Sequence, residues 1–293
     1  MDRPVGIICR NVVSMRCRPD ALSESVSQAL WGERVALMAD SRGFALIETP
    51  DGYRGWVIAD AVCPALSLTG RSSTRLRDTG AEPAAHASGL WGTDEQERVI
   101  GELLAPLRTQ PRSDARPITL LTIGARVTMA AGSDDDGYAP IALPGGGIGF
   151  VETSAIREPP SARIASREEL AHEAFRFMGI PYLWGGRSTF GMDCSGFVQM
   201  VYGLHGTILP RDAYLQAAWT GAEPVERNGL SPGDLVFFGG DDPRGRGITH
   251  VGMALDPPDF IHAAGGTGVT ISSLEDLPYS AIYRCAVRPR LTA

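Results

Sequence analysis

The apolar positions change their period along the chain. Through the first half they come in short runs of β-branched and aromatic residues, such as Phe44-Ala45-Leu46-Ile47 and Tyr138-Ala139-Pro140-Ile141, punctuated by Gly and Asp turn signals. Runs of that kind predict small all-β barrels. Residues 68–116 are less orderly. Pro83-Ala84-Ala85 predicts a loop, and Thr93-Asp94-Glu95-Gln96 ahead of Val99, Ile100, Leu103, Leu104 and Leu107 predicts a capped amphipathic helix. Pro159-Pro160 can continue neither a strand ladder nor a helix and marks a boundary. Beyond it the period becomes helical: Ser166-Arg167-Glu168-Glu169 caps a helix with Leu170, Ala174, Phe177 and Met178 on one face, ending at Gly179. A second helical pattern, Phe197, Val198, Val201 and Leu204, starts behind Asp193-Cys194-Ser195-Gly196 and puts Cys194 at a helix N-terminus. Residues 248–255 and Phe260-Ile261-His262 are strand-like, joined by the turn Asp256-Pro257-Pro258-Asp259.

The first half repeats itself. Gly32-Glu33-Arg34-Val35 recurs as Gly124-Ala125-Arg126-Val127, and Asp51-Gly52-Tyr53-Arg54-Gly55-Trp56-Val57 as Gly145-Gly146-Gly147-Ile148-Gly149-Phe150-Val151. Order and spacing agree closely, which predicts two copies of one unit. Each copy resembles a bacterial Src-homology-3-like module, in which a turn followed by Gly-aromatic-Val closes the barrel. Such modules bind peptides or cell-wall fragments, or act as spacers. The expected organisation is a first barrel over 1–67, a connector and second barrel over 68–158, and a last domain over 159–293.

Length and charge narrow the field. At 293 residues the chain exceeds one ordinary domain, and 43% hydrophobic and 21% charged residues are globular values. A net charge of -7 offers no basic footprint for a phosphate backbone, so nucleic acid is not expected as a partner. No apolar run is long enough to span a bilayer, and Met1-Asp2-Arg3-Pro4-Val5-Gly6 does not begin a secretory leader, so the expectation is a cytoplasmic protein without membrane partners. Cys9, Cys17, Cys63, Cys194 and Cys285 show no paired spacing, which predicts neither a disulfide framework nor a zinc knuckle and fits a reducing compartment. Four of them are expected as small buried hydrophobes.

Cys194 is set apart by its place at the head of a helix, where unsatisfied N–H groups and the macrodipole favour a thiolate. Asp193 is a neighbouring negative charge and is read as an N-cap, not as the activating base. That base must come from elsewhere, and His250 and His262 stand in the two strand-like runs. They share a face of a hairpin only if the loop holds an odd number of residues or a bulge resets the register, and that odd register is predicted. One ring then reaches the thiol while the other orients it. His86, His172 and His205 are read as satisfied core or surface groups.

Four motifs in order, Gly179-Ile180-Pro181-Tyr182-Leu183-Trp184-Gly185-Gly186, Asp193-Cys194-Ser195-Gly196-Phe197-Val198, Ser231-Pro232-Gly233-Asp234-Leu235-Val236-Phe237-Phe238 and Thr249-His250-Val251-Gly252, resemble the NlpC-type family of cell-wall cysteine peptidases. The resemblance implies a papain-like α+β fold over the last domain and a triad of Cys194 as nucleophile, His250 as base and His262 as orienting residue, with no cofactor and no metal. It implies hydrolysis of murein stem peptides at the bond between γ-D-glutamyl and a diamino acid. With two Src-homology-3-like modules ahead, the chain looks like the recycling subgroup, whose substrate carries a free N-terminal L-Ala. By position, Glu24, Tyr53 and Asp212 then look like the residues meeting the substrate amine. Ser195 and Arg211 look like the groups holding the D-Glu carboxylate, and Tyr182 like an oxyanion or main-chain donor. Ala213 stands where relatives often carry Ser, so one carboxylate hydrogen bond is missing or replaced. Trp184 either lines the pocket or is core, and residues 231–238 read as a structural turn and buried strand. A monomer is expected.

Other readings remain at this point. A peptidase domain without activity would leave a muropeptide-binding protein. Cys194, His250 and His262 are also ligand types that suit zinc. Acyl transfer or lipid amide chemistry would use the same nucleophile.

Overall fold

The structure, a computed structural model, describes residues 4–64, 96–132, 136–160, 165–240, 245 and 247–291. They divide into two compact units at Glu158 and Pro159. The first unit contains strands β1 (Val5–Ile8), β2 (Val12–Arg16), β3 (Ser25–Leu30), β4 (Arg34–Ser41), β5 (Phe44–Glu48), β6 (Arg54–Ile58) and β7 (Val62–Pro64). It continues with β8 (Glu97–Ile100), β9 (Leu104–Arg108), β10 (Pro117–Thr122), β11 (Arg126–Met129), β12 (Tyr138–Ala142), β13 (Ile148–Glu152) and β14 (Ile156–Arg157).

These strands make two seven-stranded sheets, ordered β3-β2-β6-β5-β4-β1-β7 and β10-β9-β13-β12-β11-β8-β14. Each member of the second order is the first shifted by one whole set, so the sequence repeat is a repeat of topology. It reaches the side chains. β6 and β13 share the same in-out pattern, with Gly55 and Val57 inward in one, Gly149 and Val151 in the other. A Cβ at Gly55 would stand 2.8 Å from the Met15 side chain, and one at Gly149 would stand 2.8 Å from Leu107. The glycine of each Gly-aromatic-Val run is therefore where a neighbouring strand's side chain crosses closely. A short 3-10 turn follows both strands, Ala59–Ala61 and Thr153–Ala155. The two sheets are fused: Trp31, from the end of β3, lies in the core of the second sheet with Ile100, Leu107 and Val127. The Trp31 carbonyl accepts the Arg126 N–H at 2.8 Å.

The amphipathic helix expected over residues 96–107 is instead β8, a turn and β9. Thr93, Asp94 and Glu95, its expected cap, lie outside the described residues, as do His86 and the loop at Pro83. Gly101 and Pro106 explain the outcome, since both interrupt a helix interior, whereas β9 buries Ala105 and Leu107 alternately against its flanking residues. The cysteines also depart from expectation. Cys17 is exposed and Cys9, Cys63 and Cys285 are half-buried, while Cys194 is buried.

The second unit starts with α1 (Arg167–Phe175), whose Ser166 cap forms a capping box with Glu169. Leu170, Ala174 and Phe177 are fully buried, but Met178 is exposed in the turn beyond the helix. There follow β15 (Arg187–Ser188), β16 (Gly191–Met192), α2 (Cys194–Gly203), α3 (Ala213–Ala217), β17 (Ala222–Val225), β18 (Leu235–Phe238), β19 (His250–Ala254), β20 (Asp259–Ala264), β21 (Gly268–Ser273), α4 (Tyr279–Ile282) and β22 (Tyr283–Pro289). Six strands form an antiparallel sheet in the order β17-β22-β18-β19-β20-β21. The helix α2, buried from Cys194 to Tyr202, packs on β19 and β20. That packing carries the head of the helix to the strands that hold the histidines.

Candidate active site

Cys194 is the first residue of α2 and Asp193 is its N-cap, accepting the Gly196 N–H at 2.7 Å. The glycine at 196 is required by a close approach: a Cβ there would lie 2.2 Å from the Gly186 carbonyl oxygen. This lets the loop 185–186 close over the first turn of α2, where the Gly185 N–H donates to Asp193 Oδ2 at 2.9 Å. The backbone N–H groups of Val251 and Ser195 point at the Cys194 sulfur, which sets it beside β19 one residue past His250.

The β19–β20 register pairs Ala254 with Phe260 and encloses the five residues 255–259, an odd number. His250 and His262 therefore share one face as diagonal neighbours. His250 Nε2 and His262 Nδ1 are 2.7 Å apart, and His262 Nε2 lies 3.0 Å from Ser272 Oγ. The ring of Tyr279 lies 5.0 Å from that of His262 and is stacked 6.3 Å from His250, with Phe238 and Phe260 completing an aromatic wall. Packed rings of this size hold the two imidazoles in single orientations. The histidine nitrogens face each other across a hydrogen bond instead of converging with sulfur on one point. Among the described residues no three His, Cys, Asp or Glu side chains gather into a metal-holding group.

Burial governs the charges here. It pushes the Cys194 thiol up to about 12, with Asp193 adding to the shift and the two backbone N–H groups and Arg211 opposing it. Burial pulls His250 down to about 4, and burial with the nearby His250 pulls His262 down to about 3. The helix N-terminus was expected to favour a thiolate; burial opposes it, pushing the Cys194 thiol up and His250 down. Tyr182 is half-buried, and its phenol is raised by burial, by Cys194 and by Asp193.

Arg211 is the main departure from the expected site. Its side chain is 1% exposed, and its fork closes on Asp193 Oδ1 and Oδ2 at 2.9 and 2.7 Å. The same guanidinium donates to Ser195 Oγ at 3.0 Å and to the Gly186 carbonyl at 3.4 Å. It neutralises the N-cap of α2, and Ser195 Oγ also donates to Asp193 at 3.2 Å. Arg211 and Ser195, expected to face a substrate carboxylate, thus hold one another and Asp193. Trp184 is 55% exposed, which removes the core reading left open for it. Asp212 occupies the N-cap position of α3 without a side-chain capping bond, and Ala213 behind it is buried. Glu24 is exposed and Tyr53 packs on the core of the first sheet. Both belong to the first unit.

Two residues were not singled out from the sequence. Ser272 lies on β21 on the same face as His262, whose opposite residue is Thr270; the alternation of 268–273 is the signal that finds it. Gln216 is fully buried and donates through Nε2 to the Ser195 carbonyl at 3.1 Å and the Pro210 carbonyl at 2.8 Å, tying α3 to the first turn of α2. A lone amide within a short apolar helix is its only trace in the sequence.

Comparison with known proteins places this geometry. Residues 179–288, which hold Cys194, His250 and His262, match the family described as NlpC/P60 family. The murein DD-endopeptidase MepS/murein LD-carboxypeptidase of Escherichia coli is 40% identical over 142 residues, covering 44% of this chain and 72% of that protein. The chain belongs to the NlpC/P60 family. Members of this family are peptidoglycan-hydrolysing peptidases, and in this NlpC/P60 chain residues 15–62 also match the bacterial dipeptidyl-peptidase Sh3 domain. Dipeptidyl-peptidase 6 of Lysinibacillus sphaericus is 26% identical, with 98% of this chain and 97% of that protein covered. The gamma-D-glutamyl-L-lysine dipeptidyl-peptidase of Bacillus subtilis is 35% identical over 131 residues, 44% of this chain and 43% of that protein. The chain thus spans nearly all of the first of these two relatives and less than half of the second.

Proposed function

We propose that this NlpC/P60 chain is a cysteine peptidase that cuts the bond between γ-D-glutamate and a diamino acid in murein stem peptides bearing a free N-terminal L-Ala. The observation that carries the chemistry is the line His250, His262, Ser272 running behind a thiol at a helix N-terminus. For His250 to act as a base at Nδ1, its Nε2–H donates to His262 Nδ1 and the His262 Nε2–H donates to Ser272 Oγ, a tautomer pattern each contact allows. Because both charged forms are penalised by burial, the thiol proton moves to His250 as sulfur attacks the carbonyl. The N–H groups at the head of α2 and the Tyr182 hydroxyl are the donors for the developing oxyanion. Departure of the diamino acid's amine takes the proton from His250, and water then releases the L-Ala-γ-D-Glu acyl group from sulfur. Arg211 acts in this reading by fixing Asp193 and Ser195, and we assign the exposed Trp184 to the wall of the substrate groove.

Support for the substrate comes from the dipeptidyl-peptidase Sh3 match and from the activity in the Bacillus subtilis relative's name. Glu24 and Tyr53, which directly precede β3 and β6, are the residues we assign to the substrate amine. A free-amine requirement suits released peptides better than intact wall, so we assign the enzyme to recycling in the cytoplasm; among the described residues no helix is long and apolar enough to cross a membrane. The test is mass-spectrometric analysis of L-Ala-γ-D-Glu-L-Lys and its meso-diaminopimelate counterpart, each with the alanine free or acetylated. Release of L-Ala-D-Glu from the free peptides, slowed at least about 100-fold by acetylation, is expected. Equal cleavage of the acetylated peptides would remove the assigned amine pocket.

A further inference from the structure

Two cysteines that the peptidase reading does not use meet on the first sheet. β1 and β7 run antiparallel, with Ile7 opposite Cys63 and Ile8 opposite Val62. Continuing that register puts Cys9 opposite Ala61, whose carbonyl accepts the Cys9 N–H at 2.9 Å. Cys9 and Cys63 are therefore diagonal neighbours on one face, a relation that places their Cα atoms within about 7–8 Å and their side chains side by side. Disulfides join Cα atoms up to about 7 Å apart, so a small local adjustment suffices. Neither sulfur is sealed, since both residues are half-buried. The Cys9 thiol donates to the Asp60 carbonyl at 3.6 Å and interacts directly with the Cys63 thiol. Burial and that neighbouring thiol push Cys9 up to about 11.

We propose that Cys9 and Cys63 form a reversible disulfide that staples β1 to β7 when the protein meets a peroxide. The steps balance. The Cys63 sulfur attacks one peroxide oxygen, the O–O bond breaks, and a sulfenic acid and one water form. The Cys9 sulfur then displaces the sulfenic oxygen as a second water, so that two thiols have lost two electrons and two protons to one peroxide. A dithiol reductant reverses the reaction by exchange. The bond closes a long loop, between residues 9 and 63, and holds the edge strand β7 on the first sheet, whose strands β3 and β6 directly follow Glu24 and Tyr53. In a reducing compartment the pair is open and closes only on oxidative challenge.

The experiment uses the full chain carrying Cys194→Ala, so that the candidate nucleophile takes no part. After treatment with hydrogen peroxide and alkylation, intact mass should fall by about 2 Da before alkyl addition, and proteolysis should yield one peptide pair joined through Cys9 and Cys63. Dithiothreitol should restore both alkylation sites, and the oxidised form should melt at least about 4 °C higher than the reduced one. Adding Cys9→Ser should abolish the mass loss and the Tm shift together. Separate alkylation or sulfinic acid formation at Cys9 and Cys63 after peroxide would overturn the proposal, as would a mass loss that persists in the Cys9→Ser chain.

Discussion

Two buried aspartates in the peptidase unit are held by arginine forks, yet their surroundings differ. Asp193 is paired with Arg211, whose side chain is 1% exposed. Asp234 is fully buried, but its partners Arg167 and Arg288 keep 26% and 35% of their side chains exposed. Around Asp193 the contacts gather the loop at Gly185, the head of α2 and Ser195 beside the thiol. Around Asp234 they join α1 and β22 to the turn at Ser231, with Arg167 Nη1 at 3.0 Å, Arg288 Nη2 at 2.7 Å and the Ser231 N–H at 2.9 Å. The first cluster is dry on both sides of the ion pair, whereas the second is dry only on the anion's side. The same pair of residue types lines the thiol proposed as nucleophile in one place and braces a fold in the other. Which partner is dry decides how much each substitution costs.

The largest effect is expected for Arg211→Met, which strands a buried carboxylate beside the Cys194 thiol. Stability should fall by about 3–5 kcal/mol, and kcat/KM by at least about 100-fold where the variant is still folded. Urea unfolding and peptide hydrolysis measure the two. If activity survives while stability falls, Arg211 is only a brace and the contrast collapses. Asp234→Asn should be milder: its arginines can turn to water, so a loss of about 1–3 kcal/mol is expected, with kcat/KM held within about threefold. A comparable loss of kcat/KM would show that both clusters serve the reaction.

The smallest effect concerns pH. A base must be neutral to act, and burial lowers His250 to about 4, so the acid limb of kcat/KM should lie near that value and not near 6.5. Stability carries the same sign. His250 and His262 both have folded values below the unfolded one, so their contribution is complete above about pH 6.5 and is lost as pH falls toward 4 and 3. The rate profile is therefore measured at low temperature, where the chain stays folded. An acid limb near 6.5 would mean that the imidazole is hydrated in the working enzyme.

How far these features could be read in advance depended on whether the signal was local. The repeat was legible because Gly55 and Gly149 answer the same close crossing, and the hairpin register because side chains alternate strictly around residues 255–259. The head of α2 was legible from Asp193 to Gly196. The strands β8 and β9 were misjudged because Val99, Ile100, Leu104 and Leu107 fit a helical period as well as two short strands, and Gly101 and Pro106 were the residues to weigh. The burial of Arg211 was not legible: nothing in a linear sequence says that a fork 18 residues downstream folds back on Asp193. The thiol's raised pKa was hidden likewise, since it comes from the burial of Cys194 in the folded unit. Cys9 and Cys63 looked unrelated because their pairing belongs to the strand register and not to spacing.

In the proposed reaction the Cys194 sulfur makes the bond to the substrate carbonyl. The direct measurement is product formation from L-Ala-γ-D-Glu-L-Lys by the native chain and by Cys194→Ala, with peptide binding to both followed by calorimetry. The variant is expected to bind the peptide but to release no L-Ala-D-Glu, a loss of at least about 10⁴-fold. Cleavage by Cys194→Ala at the native rate would contradict it.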